Sequence, residues 1–540
     1  MESSSMDFRL PGWLRPGLVL LLLACLLTFS GLNRLDLRES TEPREAGIAA
    51  DMLQQGQFLV PTLNGRPFLE KPPLSYWLQG AAIWLFGYEA FAPRLPSALA
   101  GIATVLLFVF FFRKSPEKDW LTLLSGCLLI TMASFVEYAR TAGQDAMLAF
   151  GVSLALLSFY FTREDRSPGL WLLYSAGIAI ATLTKGVVGL AIPGVVILVY
   201  LLAESICFDR RLVVANWLYP AAFALLGLLP ILAWLWTLFA AQGFDAVREV
   251  VWTNSVGRFE GEYSQGAHAE PFYFYLKRLP ETFQPWSVLL YVAIWQSIRL
   301  LRKNRRMLFL FCWMVAPYVL LSISAGKRPS YLLMLYPAAA ALLAHFVVQT
   351  FAAGVSASGL RKARWLAGIQ AMIVSAIPLY VVFRLVKVDA PLVAGLCAVV
   401  ALPLLFVLWR SAVRLRIFPF AAACVGILGT AYVAYFSFVV PHDDQGKSVR
   451  RVIERLADFA ASGRPIALYQ PTERIEGAVS FYLQREVPVL VGEKALQQAL
   501  AAAPDTVVLL DEAALVDRAR VRDEAQIDYG KTRYHYVSGS

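Results

Sequence analysis

The chain has 540 residues, of which 58% are hydrophobic and only 16% are charged, and its mean hydropathy is +0.56. This composition excludes an ordinary soluble domain and indicates an integral membrane protein. The net charge of +10 does not predict a nucleic-acid partner, because most Lys and Arg residues lie in short loops between apolar segments, where the positive-inside rule accounts for them.

Apolar segments long enough to cross a bilayer as helices predict about thirteen transmembrane helices. The first of them, Gly17 to Leu32, is interpreted as a retained helix because no small-residue cleavage site follows it. The predicted spans lie near residues 17–32, 91–112, 120–137, 145–162, 169–184, 187–203, 216–239, 284–299, 307–323, 330–352, 365–383, 390–409 and 417–440.

The apolar segment 74–87 is shorter and is interrupted by Gly80 and Gly87. We interpret it as an amphipathic helix on the membrane surface. The basic loops then fall on one side of the membrane, which the positive-inside rule assigns to the cytoplasm. The periplasmic side receives the long loops 33–90 and 240–283 together with the residues after 440, and function is expected there.

The last hundred residues change in character. Short apolar runs at Pro465 to Tyr469, Val487 to Val491 and Thr506 to Leu510 alternate with helical patterns. This alternation predicts a small α/β domain with a mainly parallel sheet. The sequence thus predicts a transmembrane domain at 1–440 and a periplasmic α/β domain at 441–540, which has no Gly-rich phosphate loop or nucleophile elbow.

The first long loop contains Glu70 and Lys71 directly before Pro72 and Pro73. The two prolines restrict the backbone and hold the charged pair at the start of the surface helix. A lipid phosphate would meet a cation there at a fixed position. A salt-bridged anchor at the membrane interface is the alternative interpretation.

Three other outer segments carry polar candidates. Asp145 begins an apolar helix, where it either caps the helix or serves the site. His268, with Glu70 or Glu270, is a candidate ligand for a divalent metal ion such as zinc, magnesium or manganese, although these residues do not form a recognisable metal spacing. Lys327 and Arg328 add cations at a membrane edge, and cations from separate loops predict an anionic substrate such as a lipid phosphate.

Seven motifs distributed along the chain carry a family resemblance. They are Thr41-Glu42-Pro43-Arg44, the block from Glu70 to Trp77, Arg94-Leu95-Pro96-Ser97, Asp145, Thr184-Lys185-Gly186, the block from His268 to Tyr275, and Lys327-Arg328-Pro329-Ser330-Tyr331. With these motifs the chain resembles the polyprenyl-phosphate-dependent glycosyltransferases of the membrane GT-C type, which include protein mannosyltransferases. Its likeness is greatest to the bacterial lipid A aminoarabinose transferases.

The resemblance implies a multi-pass protein of the bacterial inner membrane that confers resistance to polymyxin. Its donor would be 4-amino-4-deoxy-L-arabinose on undecaprenyl phosphate, its acceptor a lipid A phosphate, and no nucleotide would be needed. The implied site residues fall into two groups. Glu42, Asp145 and Glu70 would be catalytic, whereas Lys71, Arg258, Lys327, Arg328, Tyr331, Tyr76 and Arg44 would bind the substrate, with the cations holding the departing phosphate.

One position departs from the family pattern. Thr41 stands where the family usually has the aspartate of an Asp-Glu pair, so Glu42 is the nearest carboxylate. A hydroxyl acceptor needs a base to remove its proton, whereas a phosphate acceptor is already ionised near neutral pH. Thr41 therefore favours a lipid A phosphate as acceptor. A protein O-mannosyltransferase and a lipid transporter or flippase are the alternatives.

Overall fold

The computed structural model describes residues 15–38, 41–115, 118–163, 165, 167–208, 214–257, 270–352, 357–444, 448–514, 521–529 and 532–539. The chain divides into two compact units. The first unit comprises Met1–Ser30, Ser97–Arg140 and Gln144–Phe438, and the second comprises Gly31–Pro96, Thr141–Gly143 and Val439–Ser540. The first long loop therefore belongs to the same unit as the C-terminal residues, whereas the predicted boundary at residue 440 places these two segments in separate domains.

The first unit is helical. Its longer helices are Pro16–Phe29, Leu95–Phe111, Lys118–Ile130, Asp145–Thr162, Pro168–Lys185, Val187–Cys207, Ala215–Gln242, Ser287–Ser297, Arg305–Ile323, Tyr336–Ala352, Ala357–Lys387, Pro391–Arg414 and Ile417–Ala434. Shorter helices lie at Ala133–Ala139, Phe244–Arg248 and Phe274–Thr282. Within the described ranges, ten helical segments are long and apolar enough to cross a membrane, or eleven if one bent pair counts as a span.

Three predicted spans account for the difference from thirteen. The segment near 120–137 is broken into Lys118–Ile130 and Ala133–Ala139, which meet at an angle of 73°. The segment near 284–299 forms only the short apolar helix Ser287–Leu300. Pro168–Lys185 has 18 residues but is less apolar than the ten, because it contains Ser, Thr and Lys as well as apolar residues.

Two helices of the first unit pack with their backbones close together. A Cβ atom added to Gly151 would lie 2.8 Å from the backbone nitrogen of Ala181, and one added to Gly177 would lie 2.5 Å from that of Ala155. Small residues permit this close approach between membrane helices. Asp145–Thr162 and Pro168–Lys185 are consecutive, so the start of one lies beside the end of the other. Gly186, with a φ of +58°, then allows the chain to turn directly into the next helix.

The second unit combines helices with a sheet. Its helices are Thr41–Gln55, Leu74–Phe86, Val440–Asp444, Arg450–Ala461, Glu473–Ala478 and Glu493–Ala502. Its strands are β1 (Thr62–Leu63), β2 (Arg66–Pro67), β3 (Ile466–Tyr469), β4 (Val489–Leu490), β5 (Val507–Asp511), β6 (Val521–Tyr529) and β7 (Thr532–Gly539). The predicted surface segment 74–87 forms a helix of 13 residues, which is too short to cross a bilayer.

The larger sheet has the strand order β4-β3-β5-β7-β6. The three predicted strands are present as β3, β4 and β5, and they pair in parallel. β7 adds to β5 in the antiparallel direction and pairs with β6, so the sheet is mixed. These two strands were not predicted, because β6 is rich in charged residues and neither strand has the continuous apolar run that identifies a buried strand.

Candidate active site

Glu42 lies in the first turn of the helix Thr41–Gln55 and is 3% exposed. Its Oε1 accepts hydrogen bonds from Arg94 Nε and from the backbone N–H of Ala142, both at 2.8 Å. Its Oε2 accepts from Arg94 Nη2 at 2.7 Å and from the backbone N–H of Arg38 at 2.8 Å. Burial acts to raise the pKa of Glu42, but the charge and hydrogen bonds of Arg94 outweigh it, so the pKa lies below its usual value.

Arg94 also donates hydrogen bonds to backbone carbonyls of the first loop. Its Nη1 donates to the carbonyls of Leu32 at 3.3 Å and Leu35 at 2.7 Å, and its Nη2 donates to that of Asp36 at 2.6 Å. The guanidinium and the Glu42 carboxylate thus join four stretches of the second unit. An ionised carboxylate with two hydrogen bonds at each oxygen is a weak base, so this geometry favours a positioning role for Glu42 over the predicted catalytic one.

A second charged cluster surrounds Glu45, one turn further along the same helix. Its Oε1 accepts from Lys71 Nζ at 2.8 Å and from Arg44 Nη2 at 2.9 Å. Arg44 Nη1 lies 2.8 Å from Glu473 Oε2 and 3.8 Å from Glu70 Oε2. Burial acts to raise the pKa of Glu45, but the charges and hydrogen bonds of Lys71 and Arg44 outweigh this effect. The pKa therefore lies below its usual value, and Glu45 is ionised at neutral pH.

Two cations thus face three carboxylates in this cluster. This is the salt-bridged arrangement that stood as the alternative to a phosphate site at Glu70 and Lys71. The Lys71 side chain keeps 16% of its surface exposed, and its phosphate role stays a prediction. Tyr76 is 1% exposed and lies in an apolar cluster with Ala49 and Met52, so the structure places it in a core and away from an open surface.

A backbone contact fixes the helix that bears these groups. A Cβ added to Gly47 would lie 2.3 Å from the Cα of Gly477, and one added to Gly477 would lie 2.3 Å from the carbonyl oxygen of Pro43. Real Cβ atoms do not approach this closely. The contact brings Glu473, at the start of the short helix Glu473–Ala478, to Arg44.

The first unit holds a separate pair formed by Asp145 and Lys185. The ammonium group of Lys185, at the end of its helix, donates to Asp145 Oδ1 at the start of the neighbouring helix. The same ammonium lies 4.3 Å from the centroid of the Tyr331 ring, within the range of a cation–π contact. The side chains of Asp145 and Lys185 remain 25% and 15% exposed, so the pair is accessible to a ligand.

Arg328 lies close enough to Lys185 for their charges to interact. Its carbonyl accepts a hydrogen bond from the hydroxyl of Tyr275 at 3.2 Å, which fixes the backbone. Its guanidinium, by contrast, has no hydrogen-bond partner among the residues that the structure describes. Two sequence-predicted residues, Tyr331 and Asp145, are therefore brought together with Lys185, and Arg328 lies beside them.

The neighbouring Lys327, unlike Arg328, hydrogen-bonds to the protein backbone through its charged group. Its side chain is buried, and its ammonium group donates to the carbonyls of Glu270, at 2.7 Å, and Ser324. Burial lowers the pKa of Lys327. These contacts favour a role in holding two segments together over the predicted contact with the substrate phosphate.

Sequence reasoning named Lys185 and Arg94 only within motifs and missed Arg140 as a structural residue. Arg140 donates to the carbonyls of Leu27 at 2.9 Å, Thr28 at 2.6 Å and Ser30 at 2.6 Å, which satisfies the end of the first helix. The available signal was a cation at the end of an apolar segment, since such charges require partners.

Two predicted residues, Arg258 and His268, lie outside the described residues. Within the described part of the chain there is no group of three or more His, Cys, Asp or Glu side chains that could hold a metal ion. Glu70, the predicted ligand in the first loop, has its Oε2 3.8 Å from Arg44 Nη1. A divalent metal therefore stays a prediction.

Residues 70–234 match the family model of the dolichyl-phosphate-mannose-protein mannosyltransferases. A protein of Erwinia tasmaniensis named undecaprenyl phosphate-alpha-4-amino-4-deoxy-L-arabinose arabinosyl transferase is 28% identical over 335 residues, covering 60% of this chain and 58% of the relative. A Sodalis glossinidius protein with the same name and the number 1 is 30% identical over 310 residues, covering 56% and 54%. The chain thus spans somewhat more than half the length of the curated relatives it matches.

The crystal structure of ArnT from Cupriavidus metallidurans bound to undecaprenyl phosphate is similar with a TM-score of 0.71 at 18% identity, covering 96% of this chain and 97% of that one. Its apo structure gives a TM-score of 0.73 over the same coverage. The chain has the GT-C fold of ArnT. The predicted resemblance to aminoarabinose transferases is therefore confirmed, and the protein is a multi-pass membrane protein of this fold.

Proposed function

We propose that the chain is an inverting glycosyltransferase that moves 4-amino-4-deoxy-L-arabinose from undecaprenyl phosphate to a phosphate of lipid A. The names of the curated relatives support the donor, and the ArnT structure with undecaprenyl phosphate supports a lipid phosphate as its carrier. The acceptor, the periplasmic face of the inner membrane and polymyxin resistance belong to the same proposal. So do the count of thirteen spans and the periplasmic position of residues 441–540.

The Asp145–Lys185 pair beneath Tyr331, with Arg328 beside it, is the observation that carries the proposal. A 4-amino sugar is a cation near neutral pH, and a carboxylate at a helix start attracts it. Asp145 would hold the amino group by exchanging part of its contact with Lys185. Lys185 and Arg328 would then face the donor phosphate and neutralise the charge that develops as it leaves.

The bond changes require no redox partner. The bond between the anomeric carbon and the undecaprenyl phosphate oxygen breaks, and its electron pair stays with the departing phosphate. An oxygen of the acceptor phosphate forms the new bond from the opposite face of the sugar, which inverts the configuration. Since that oxygen is already ionised, the absence of an aspartate at Thr41 is no obstacle, and the tightly bonded Glu42 does not need to act as a base.

Mass spectrometry of lipid A tests the proposal directly. Cells that lack their own aminoarabinose transferase but make the lipid-linked sugar should gain an aminopentose on lipid A when this chain is expressed. The Asp145→Asn variant, produced at equal membrane level, should not restore the modification. Unmodified lipid A with the wild-type chain, in the presence of confirmed donor, would reject the proposal.

The mannosyltransferase family match over residues 70–234 supports a second candidate, a protein O-mannosyltransferase that uses polyprenyl-phosphate mannose. The two candidates differ in acceptor. Purified protein supplied with each lipid-linked sugar, and with lipid A and a Ser/Thr peptide in separate reactions, distinguishes them by which acceptor gains mass.

A further inference from the structure

A cavity of about 510 Å³ lies in the first unit. Its walls come from the end of the helix Asp145–Thr162, the end of the helix Val187–Cys207 and the turn that leads into the helix Arg305–Ile323. The first of these helices begins at the Asp145–Lys185 pair, so its length of roughly 27 Å, at 1.5 Å per residue, separates the cavity from that pair.

The cavity is strongly basic. Of the described side chains that line it, Arg163, Lys303, Arg305 and Arg306 are cations and Glu204 is the single carboxylate. These cations therefore exceed the carboxylate by three charges. Such an excess at a membrane helix end attracts an anion.

Glu204 is a buried carboxylate in the cavity wall that contacts two of the cations. It is 2% exposed, and its Oε2 lies 2.6 Å from Arg163 Nη2 while its Oε1 lies 3.6 Å from Arg305 Nε. The hydroxyl of Tyr200, itself 1% exposed, donates to Oε1 at 3.3 Å. Two of the cations are thus oriented by one buried carboxylate, which makes the basic wall a built feature of the fold.

Donors in this wall lack partners. The Nε atoms of Arg163 and Arg306 are buried, and neither has a hydrogen-bond partner among the described residues. Buried donors normally find an acceptor, because leaving one unpaired costs free energy. These two atoms are covered by protein, so the cations that a ligand can reach directly are the exposed Lys303 and Arg305. A phosphate group offers them several acceptor oxygens together with the matching charge.

We infer that this cavity binds the phosphate headgroup of an anionic membrane lipid. Phosphate is the shared chemistry of a lipid headgroup and a soluble phosphate, and the position favours the lipid. The helices Asp145–Thr162, Val187–Cys207 and Arg305–Ile323 are all long and apolar enough to cross the membrane, so the level at which they end or begin is that of the headgroups. Basic pockets between membrane helices bind such headgroups. This site is independent of the proposed transferase activity.

Native mass spectrometry of the delipidated full chain in detergent tests the inference, with phosphatidylglycerol as the anionic probe and phosphatidylcholine as the zwitterionic one. Phosphatidylglycerol should bind more tightly than phosphatidylcholine. Replacing Lys303 and Arg305 together with Gln should weaken phosphatidylglycerol binding by about tenfold or more, because the change removes two of the four cations that line the cavity. Both residues are exposed, so the fold should tolerate the change.

Arg302→Gln is the matched control. Arg302 lies in the same basic turn and is exposed, but it does not line the cavity, so this variant should bind phosphatidylglycerol like the wild type. Equal loss in the control and the double variant, or equal affinity for the two lipids, would overturn the inference. In a separate thermal-shift experiment, inorganic phosphate should not stabilise the protein. If inorganic phosphate stabilised it as much as phosphatidylglycerol does, and this effect disappeared in the double variant, the cavity would be assigned to a soluble phosphate instead.

Discussion

The Arg94 side chain is 1% exposed and has Glu42 as its ion-pair partner. Replacing Arg94 with Ala would leave the buried Glu42 carboxylate without its cation, and breaking a buried pair in this way costs about 3–5 kcal/mol. We expect a clear fall in melting temperature, measured by tryptophan fluorescence in detergent. Arg485→Ala, at an exposed position of the same unit, is the control and should melt like the wild type. An Arg94→Ala chain with wild-type stability would show that the pair does not hold the loop.

Asp145 tests the proposed chemistry directly, because its pair with Lys185 is partly exposed and can contact a ligand. Asp145→Asn keeps the shape but removes the charge that would hold the amino sugar, so turnover should fall by roughly a hundredfold or more, as expected for loss of charge stabilisation at a reacting centre. The initial rate of transfer in reconstituted vesicles measures it. Asp119→Asn, at an exposed aspartate in the first turn of Lys118–Ile130, should transfer normally. Full activity in Asp145→Asn would remove this residue from the site.

The pKa of Glu45 predicts how stability depends on pH. Because that pKa lies below its ordinary value of 4.5, the stabilisation by ionised Glu45 is fully present above the ordinary value and is lost as the pH falls toward the lower, folded-state value. The melting temperatures of wild type and Glu45→Gln should therefore differ most near pH 7 and converge as the pH falls below roughly 4.5.

Glu493→Gln is the control for this pH series because Glu493 is exposed on the helix Glu493–Ala502. Its melting temperature should follow that of the wild type throughout. A difference between wild type and Glu45→Gln that is the same at every pH would contradict a stabilising charge on Glu45.

Among the elements, the sequence predicted those with a strong local signal. The length of the apolar segments identified most of the membrane helices, and the restriction imposed by Pro72 and Pro73 correctly placed the start of the helix Leu74–Phe86. The bend after Ile130 and the hairpin of β6 and β7 carry no such signal. Their conformations depend on neighbouring segments, which a single sequence does not reveal.

The contact between Gly47 and Gly477 is an element-level feature of this kind, since the two residues lie 430 positions apart. Gly477→Ala should lower the melting temperature, because its Cβ would meet the Pro43 carbonyl oxygen at 2.3 Å and force the two helices apart. Overpacking of this kind costs about 1–3 kcal/mol. The control is Gly368→Ala, a helical glycine whose Cβ would meet nothing within 4 Å. Equal melting temperatures for the two variants would refute the close contact.

At the scale of the whole molecule, the motifs identified the GT-C fold although the solved ArnT structures are only 18% identical. They were less informative about roles. Glu42 and Lys327 were predicted to touch substrate from their residue type and loop, but the structure gives both of them buried contacts within the protein. The partners of a charged loop residue are set by the tertiary structure. They could not be predicted from the spacing of the motifs in the sequence.

The composition of the second unit shows why its C-terminal residues matter to the first loop. Asn64 exchanges two hydrogen bonds of 2.9 Å with the backbone of Val487, and the backbone N–H of Leu37 donates to the Tyr482 hydroxyl at 3.2 Å. Together with the Arg44–Glu473 pair and the Gly47–Gly477 contact, these bonds join residues 31–96 to the C-terminal segment within one unit.

A chain ending at Asp444 should therefore retain its membrane helices but lose the order of the first loop. Limited proteolysis with peptide mapping should show new cleavage within residues 31–96, together with loss of transfer. Cleavage in the basic turn 299–304 is the internal control, because it lies in the first unit and should be equally sensitive in both chains. If the shortened chain protected residues 31–96 as well as the full chain does, the contacts with Glu473, Gly477, Tyr482 and Val487 would not be what orders the loop, and the loop would have to be stabilised by its own helices alone.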